Sequence, residues 1–253
     1  MPSKKIMFTG HAGDELAARL DLPENGEIRA YALFAHCFTC GKDLRAISRI
    51  SQALNAEGIA LFRFDFTGLG MSKGDFANTH FSSNVEDLVA AANYMKQHYE
   101  APSFLIGHSL GGTACLVAAK HIPSLKAIAT IGSPSNATNV LKQFSADVKK
   151  IETEGFADVE LSGRPFTIKK EFIENARQQD VASFVKRLGI PYLILHSPVD
   201  ATVDIDHARL LFMAAKHPKS FVSLDTADHL LLKGDKHSYY AGRMLATWVG
   251  QYL

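Results

Sequence analysis

Short runs of β-branched, aromatic and aliphatic residues alternate along most of the chain with stretches whose apolar positions recur every three to four residues. Residues 5–9 and 16–22 read as two strands, joined by the hairpin-like His11-Ala12-Gly13-Asp14. Residues 29–36 read as a buried strand and 44–57 as the helix that follows it. A further strand at 59–66 leaves through a glycine-rich exit, Asp65-Phe66-Thr67-Gly68-Leu69-Gly70. Val85, Leu88, Val89, Ala92 and Met95 share one face of a helix predicted over 84–98. The apolar run Ser103-Phe104-Leu105-Ile106 then precedes a helix at 113–121. Strands at 125–131, 191–196 and 220–224 follow, and a helix at 239–253 closes the chain. Strands that alternate with helices in this way predict an α/β fold: a mostly parallel eight-stranded sheet with helices on both faces.

Residues 135–188 break the alternation. A charged amphipathic helix is predicted over 139–154, two short strands at 158–161 and 166–168 around Ser162-Gly163-Arg164-Pro165, and helices at 170–177 and 180–188. An insertion here would lie over the C-terminal ends of the strands, where open α/β sheets bind ligands. It reads as a cap within a single domain, 1–253.

Composition narrows the function classes. The 253 residues carry a net charge of +1 with no basic stripe, so nucleic acid is not an expected partner. No apolar run reaches the roughly 20 residues that cross a bilayer, and the first residues lack the apolar stretch of a signal peptide. Three cysteines do not suggest a disulfide framework. The expectation is a soluble cytoplasmic protein.

Chemistry enters at Gly107-His108-Ser109-Leu110-Gly111, a G-x-S-x-G sequence between a predicted strand and a predicted helix. That setting suits a nucleophile elbow, a sharp turn that lifts the serine hydroxyl above the sheet edge. A serine needs a base, and the base needs an orienting carboxylate. Asp200 follows the strand at 191–196, and His229 follows the last strand. Both therefore belong at the sheet edge that carries Ser109. Other histidines have other expected places: His108 inside the elbow, His36 and His196 at strand ends, and His237 at a helix start. Asp225 and Asp228 are alternatives to Asp200, but Asp228 sits too close in sequence to reach the His229 ring. Asp204 and Asp206 suit helix capping, and Asp65 suits bracing of the glycine loop. The oxyanion donors are assigned to the backbone N–H groups of Leu110 and Phe38, with Cys37 the neighbouring alternative to Phe38.

These residues resemble the serine α/β-hydrolase superfamily over nearly the whole chain. More narrowly, Ala35-His36-Cys37-Phe38-Thr39-Cys40, Arg63-Phe64-Asp65-Phe66-Thr67-Gly68-Leu69-Gly70 and Gly163-Arg164-Pro165-Phe166 are similar to the hydrolase half of bacterial α/β-hydrolase/OsmC-like fusion proteins. The resemblance implies the α/β-hydrolase fold and serine hydrolase chemistry, and it supplies no substrate. The chain stops at Leu253 with no room for an OsmC-like part, which reads as a stand-alone relative or a truncated piece. Many members of the superfamily carry His-Gly where this chain has His36-Cys37, and a cysteine Cβ would strain a backbone geometry that depends on glycine. Cys37 and Cys40 read as two small residues in a loop beside the site. The alternative for this C-x-x-C pair is a redox switch that closes the oxyanion loop, which would need an activated thiolate; a metal site would need further ligands, and no second C-x-x-C exists.

The expected function is hydrolysis of a carboxylic ester of small to medium acyl chain through an acyl-enzyme, with no metal or organic cofactor. Phe144, Phe156, Phe166, Ile168 and Phe172 are candidate acyl-pocket residues, and they serve equally well as the core of the cap. Thioesterase or peptidase activity, or a non-catalytic receptor on the same fold, are the alternatives. A homodimer and a functional link to an OsmC-like protein stay open.

Overall fold

The computed structural model describes residues 2–253. Its strands are β1 (Ser3–Thr9), β2 (Glu15–Asp21), β3 (Ala30–Ala35), β4 (Ile59–Phe64), β5 (Phe104–His108), β6 (Ala127–Ile131), β7 (Phe156–Leu161), β8 (Arg164–Lys169), β9 (Tyr192–His196) and β10 (Lys219–Ser223). The helices are α1 (Arg45–Ala56), α2 (Phe81–His98), α3 (Leu110–Ala118), α4 (Val148–Glu154), α5 (Lys170–Arg177), α6 (Val181–Lys186), α7 (Asp206–Ala214) and α8 (Asp235–Val249). Eight strands form one sheet in the order β1-β2-β4-β3-β5-β6-β9-β10. Only β2 runs against its neighbours, β1 and β4.

The central strands are apolar at nearly every position because both sheet faces are covered. Ala32 and Phe34 of β3 face α1 and α8, whereas Leu33 and Ala35 face the opposite layer with α2 and α3. β5 and β6 repeat this two-residue alternation. The sheet is therefore the middle layer of three, and its C-terminal edge carries the loops that matter for chemistry.

Several boundaries depart from the pattern-based expectations. α3 begins at Leu110, directly after Ser109, and not at residue 113. Gly111 and Gly112 weaken a helix prediction, yet close packing requires small residues here: a Cβ on Gly111 would lie 2.2 Å from the His36 carbonyl oxygen. The helix expected over 139–154 is two pieces, a 3-10 segment Ala137–Phe144 and α4. Asn136 starts the first piece by accepting from Asn139 N–H, and the chain turns again at Phe144 before α4. The closing helix starts and ends four residues earlier than expected. α7 adds a helix at Asp206–Ala214, where the sequence pattern predicts only capping residues.

The segment between β6 and β9 contains the β7–β8 hairpin, whose two-residue turn is Ser162-Gly163, both at positive φ. That combination is the type I′ geometry that matches strand twist. Ala157, Val159 and Leu161 point inward, while Phe156, Asp158 and Glu160 point outward.

A buried charge chain fixes the loop after β3. Arg63, on β4, pairs with the fully buried Asp21 at 2.8 Å and also donates to the Lys42 carbonyl. Lys42 pairs with Asp65 at 2.8 Å, and Asp65 also accepts the N–H groups of Lys42 and Met71. Asp65 thus braces both the glycine loop and the loop after β3. Removing one partner of such a pair strands the other charge. Arg63→Leu should lower stability by about 3–5 kcal/mol, read from the urea midpoint; a loss under about 1 kcal/mol would show the pair to be structurally idle.

Candidate active site

Ser109 sits between β5 and α3 with φ at +55°. Non-glycine residues rarely occupy positive φ, and such a conformation costs on the order of 1–3 kcal/mol. The surroundings hold it there: Ser109 N–H donates to the Ile131 carbonyl at 2.9 Å, and its own carbonyl accepts from Gly112 at 2.9 Å. A Cβ on Gly107 would come within 2.3 Å of the Gly112 Cα, so the elbow closes only without one.

The side chains at this edge form a continuous hydrogen-bonded chain. Ser109 Oγ donates to His229 Nε2 at 3.0 Å, and His229 Nδ1 donates to Asp200 Oδ2 at 2.7 Å. Asp200 Oδ1 accepts from the backbone N–H groups of Thr202 at 2.8 Å and Val203 at 2.9 Å. Burial opposes ionisation of Asp200. The His229 hydrogen bond and charge, together with the Val203 and Thr202 N–H groups, outweigh it and hold the carboxyl below its usual range. Gly132, at φ +55°, leaves room beside the pair: a Cβ there would lie 3.2 Å from Asp200 Oδ2.

Three other histidines tie the loops together without reaching Ser109. His108 Nε2 donates to the His229 carbonyl at 2.7 Å, and the two rings lie 5.0 Å apart. Burial first, then the neighbouring His229, push the His108 imidazole down to about 3. His196 Nε2 donates to the Val203 carbonyl at 2.8 Å, which shapes the loop that presents Asp200. His36 accepts the Phe66 N–H at Nε2, so its proton lies on Nδ1 and goes to the Cys37 carbonyl at 2.8 Å. Burial lowers the His36 value and keeps this neutral form in place.

That last bond orients a backbone group. The Cys37 carbonyl also accepts Cys40 N–H at 3.1 Å. A trans peptide points its N–H opposite to its carbonyl, so both bonds aim the Phe38 N–H away from them. Among the described residues, neither Phe38 N–H nor Leu110 N–H has a hydrogen-bond partner. Cys37 and Cys40 are joined as a disulfide, with Cα atoms 5.3 Å apart. The pairing departs from the expectation of two small unpaired loop residues and brings the C-x-x-C sulfurs together, as a redox role would require.

The candidate pocket residues separate into two groups. Phe144, Ile168 and Phe172 are buried, and a chain of ring contacts runs Phe144–Phe172–Phe38–Phe76–Phe166 at 4.7–6.2 Å. Phe156 does not belong to it. It is 55% exposed on the outer face of β7, because strand alternation turns it away from Ala157 and Val159. Phe76 was not anticipated. It lies in a 3-10 turn, Phe76–Asn78, capped by Asp75, and an isolated aromatic in a polar stretch was its only signal.

A three-layer fold with this sheet order and a serine at the turn after β5 defines an α/β-hydrolase. A family model described as "Serine aminopeptidase, S33" matches residues 27–164, and the chain belongs to that family. The solved esterase domain of a Rhodothermus marinus protein is 45% identical, with a TM-score of 0.79, over 100% of this chain and 99% of that one. Est1E from Butyrivibrio proteoclasticus, solved with ferulic acid, shares the fold at TM-score 0.79 and 22% identity over 98% of this chain and 99% of that one. Among curated proteins, the rat mitochondrial palmitoyl-protein thioesterase ABHD10 is 28% identical over 165 residues, 65% of this chain and 51% of that protein. The chain thus spans about half the length of the ABHD10 relatives it matches.

The shifted groups set a pH dependence of stability. Unfolded His108 takes up a proton near pH 6.5, but the folded form refuses it until about pH 3, so stability falls as pH drops through that window. Asp200 adds a second loss at lower pH: its contribution is present above the ordinary carboxylate range and disappears as pH falls through its lower folded value. Denaturant titrations from pH 7 to 4 should show wild type losing stability. His108→Gln should lose up to about 1.4 kcal/mol per pH unit less, the weight of one proton. Equal slopes for the two proteins would refute the buried neutral His108.

Proposed function

We propose that this hydrolase cleaves carboxylic esters of small to medium acyl chain through an acyl-enzyme on Ser109. The observation that carries this reading is the Ser109–His229–Asp200 hydrogen-bonded chain at a positive-φ elbow. In the proposed cycle His229 Nε2 takes the Ser109 proton as Oγ attacks the acyl carbon. Asp200 holds the imidazole in the tautomer that accepts this proton and stabilises the imidazolium that results. The N–H groups of Phe38 and Leu110 stabilise the negative oxygen of the tetrahedral intermediate. His229 returns the proton to the leaving alkoxide, and a water, activated by the same imidazole, releases the acid.

The insertion serves as the cap in this reading. Phe38 is both the proposed oxyanion residue and the middle ring of the aromatic chain. An apolar acyl group bound beside the oxyanion would meet Phe166 and Phe172, which favours modest chain length. The 45%-identical esterase domain supports ester substrates. A thioester is the second reading, favoured by the palmitoyl-protein thioesterase relatives and compatible with the same acyl-enzyme.

Hydrolysis of p-nitrophenyl esters from acetate to laurate should show an optimum at short to medium chains. Ser109→Ala should cut kcat by about 10⁴-fold or more. Palmitoyl-CoA cleaved with a kcat/KM well above that of every ester would establish the thioester reading instead. Ester turnover that survives in Ser109→Ala would overturn both.

A further inference from the structure

Gly163-Arg164-Pro165-Phe166 stands out in the sequence, and neither the hydrogen-bonded chain at Ser109 nor the elbow explains its arginine. Arg164 opens β8 at the tip of the insertion's hairpin. Its Nη2 donates to the carbonyl of Thr39, 125 positions away. Thr39 lies in the Cys37–Cys40 turn and follows Phe38 directly. It is 3% exposed, with φ at +58°. A buried carbonyl left without a donor costs about 1–3 kcal/mol, and a non-glycine residue at positive φ persists only when its surroundings over-determine it.

The turn is otherwise tied on one side. The disulfide and the Cys40 N–H to Cys37 carbonyl bond close it internally, and His36 holds the Cys37 carbonyl from beneath. Arg164 supplies the tie from the insertion. Its guanidinium also lies over the Phe166 ring, 5.3 Å from the centroid, and Phe166 reaches Phe38 through Phe76. One side chain therefore links the seat of the insertion to both the backbone and the ring of the oxyanion turn.

We propose that Arg164 is a positioning residue that holds the Phe38 N–H in its stabilising position when the insertion is seated. The proposal rests on the serine hydrolase reading. Arg164 is itself largely exposed, so its truncation opens no cavity and should leave the fold intact. Its contribution appears only when negative charge develops on the acyl oxygen, which places it in kcat and not in KM.

The test uses p-nitrophenyl acetate with wild type, Ser109→Ala, Arg164→Ala and Arg164→Lys, each normalised to the reactive serine titrated with a fluorescent phosphonate. Wild-type turnover that Ser109→Ala abolishes is the prior condition; its failure removes the underlying reading and this proposal together. Given that turnover, Arg164→Ala should lose about 10- to 100-fold in kcat, with KM within about twofold. Arg164→Lys should retain more activity, and added guanidinium ion should raise the kcat of Arg164→Ala but not of wild type. A kcat for Arg164→Ala within about twofold of wild type would overturn the proposal. So would a loss confined to the titratable fraction, which would mark a purely structural role.

Discussion

The positive φ of Ser109 is the constraint from which the rest of the site follows. An unstrained residue between β5 and α3 would let the helix start later and point the side chain elsewhere. Held as it is, the turn demands glycine on both sides, and the helix must begin at Leu110. That early start lays Gly111 against the end of β3, so the Leu110 amide and the Phe38 loop share one sheet edge. The strain is sustained by the sheet: β6 accepts the Ser109 N–H through Ile131, and β6 is itself held between β5 and β9.

Around this turn, burial makes neutral histidines into fixed couplings. His108 and His196 each end a strand and His36 directly follows one, and each donates one ring N–H to a backbone carbonyl of a neighbouring loop. A charged imidazole could not serve at His36, whose other nitrogen accepts the Phe66 N–H. Desolvation lowers the proton affinity of all three and favours the neutral imidazole. His229 differs in its partner, a carboxylate, and in its contact with the serine hydroxyl. One residue type thus takes two roles at the same edge, according to whether a carbonyl or a carboxylate meets it.

How much of this was legible in the sequence depended on the range of the physics involved. The sheet strands were legible because two-sided burial leaves continuous apolar runs, as in Tyr192–His196. That Ser109, Asp200 and His229 meet at one sheet edge was legible because each follows the end of a strand. The broken helix at 137–154 was not, since its charged amphipathic pattern runs across the turn near Phe144. The placing of Phe156 depended on the register of β7, in which a one-residue shift exchanges the two faces. Phe76, the disulfide and the Arg164 contact depend on chain segments meeting in space, and no local periodicity encodes them.

The insertion is held to the core by polar contacts as well as by its aromatic rings. Asn175 of α5 accepts Ser82 N–H and exchanges hydrogen bonds with the Ser82 hydroxyl at the start of α2, and Gln179 joins them. On the opposite side, His207 of α7 accepts from Ser135 and donates to Asn139, tying down the first turn of the insertion. Such contacts are directional and individually modest, about 0.5–1.5 kcal/mol net. They fix where the insertion sits more than they stabilise it. Aliphatic side chains such as Val159, Ile168, Ile173 and Val185 join the segment to the main core, and its ring contacts reach Phe38 through Phe172 and Phe76. A group that displaced Phe166 or Phe172 would press on the Cys37–Cys40 turn through Phe38, and under the proposed function this would couple substrate fit to transition-state geometry.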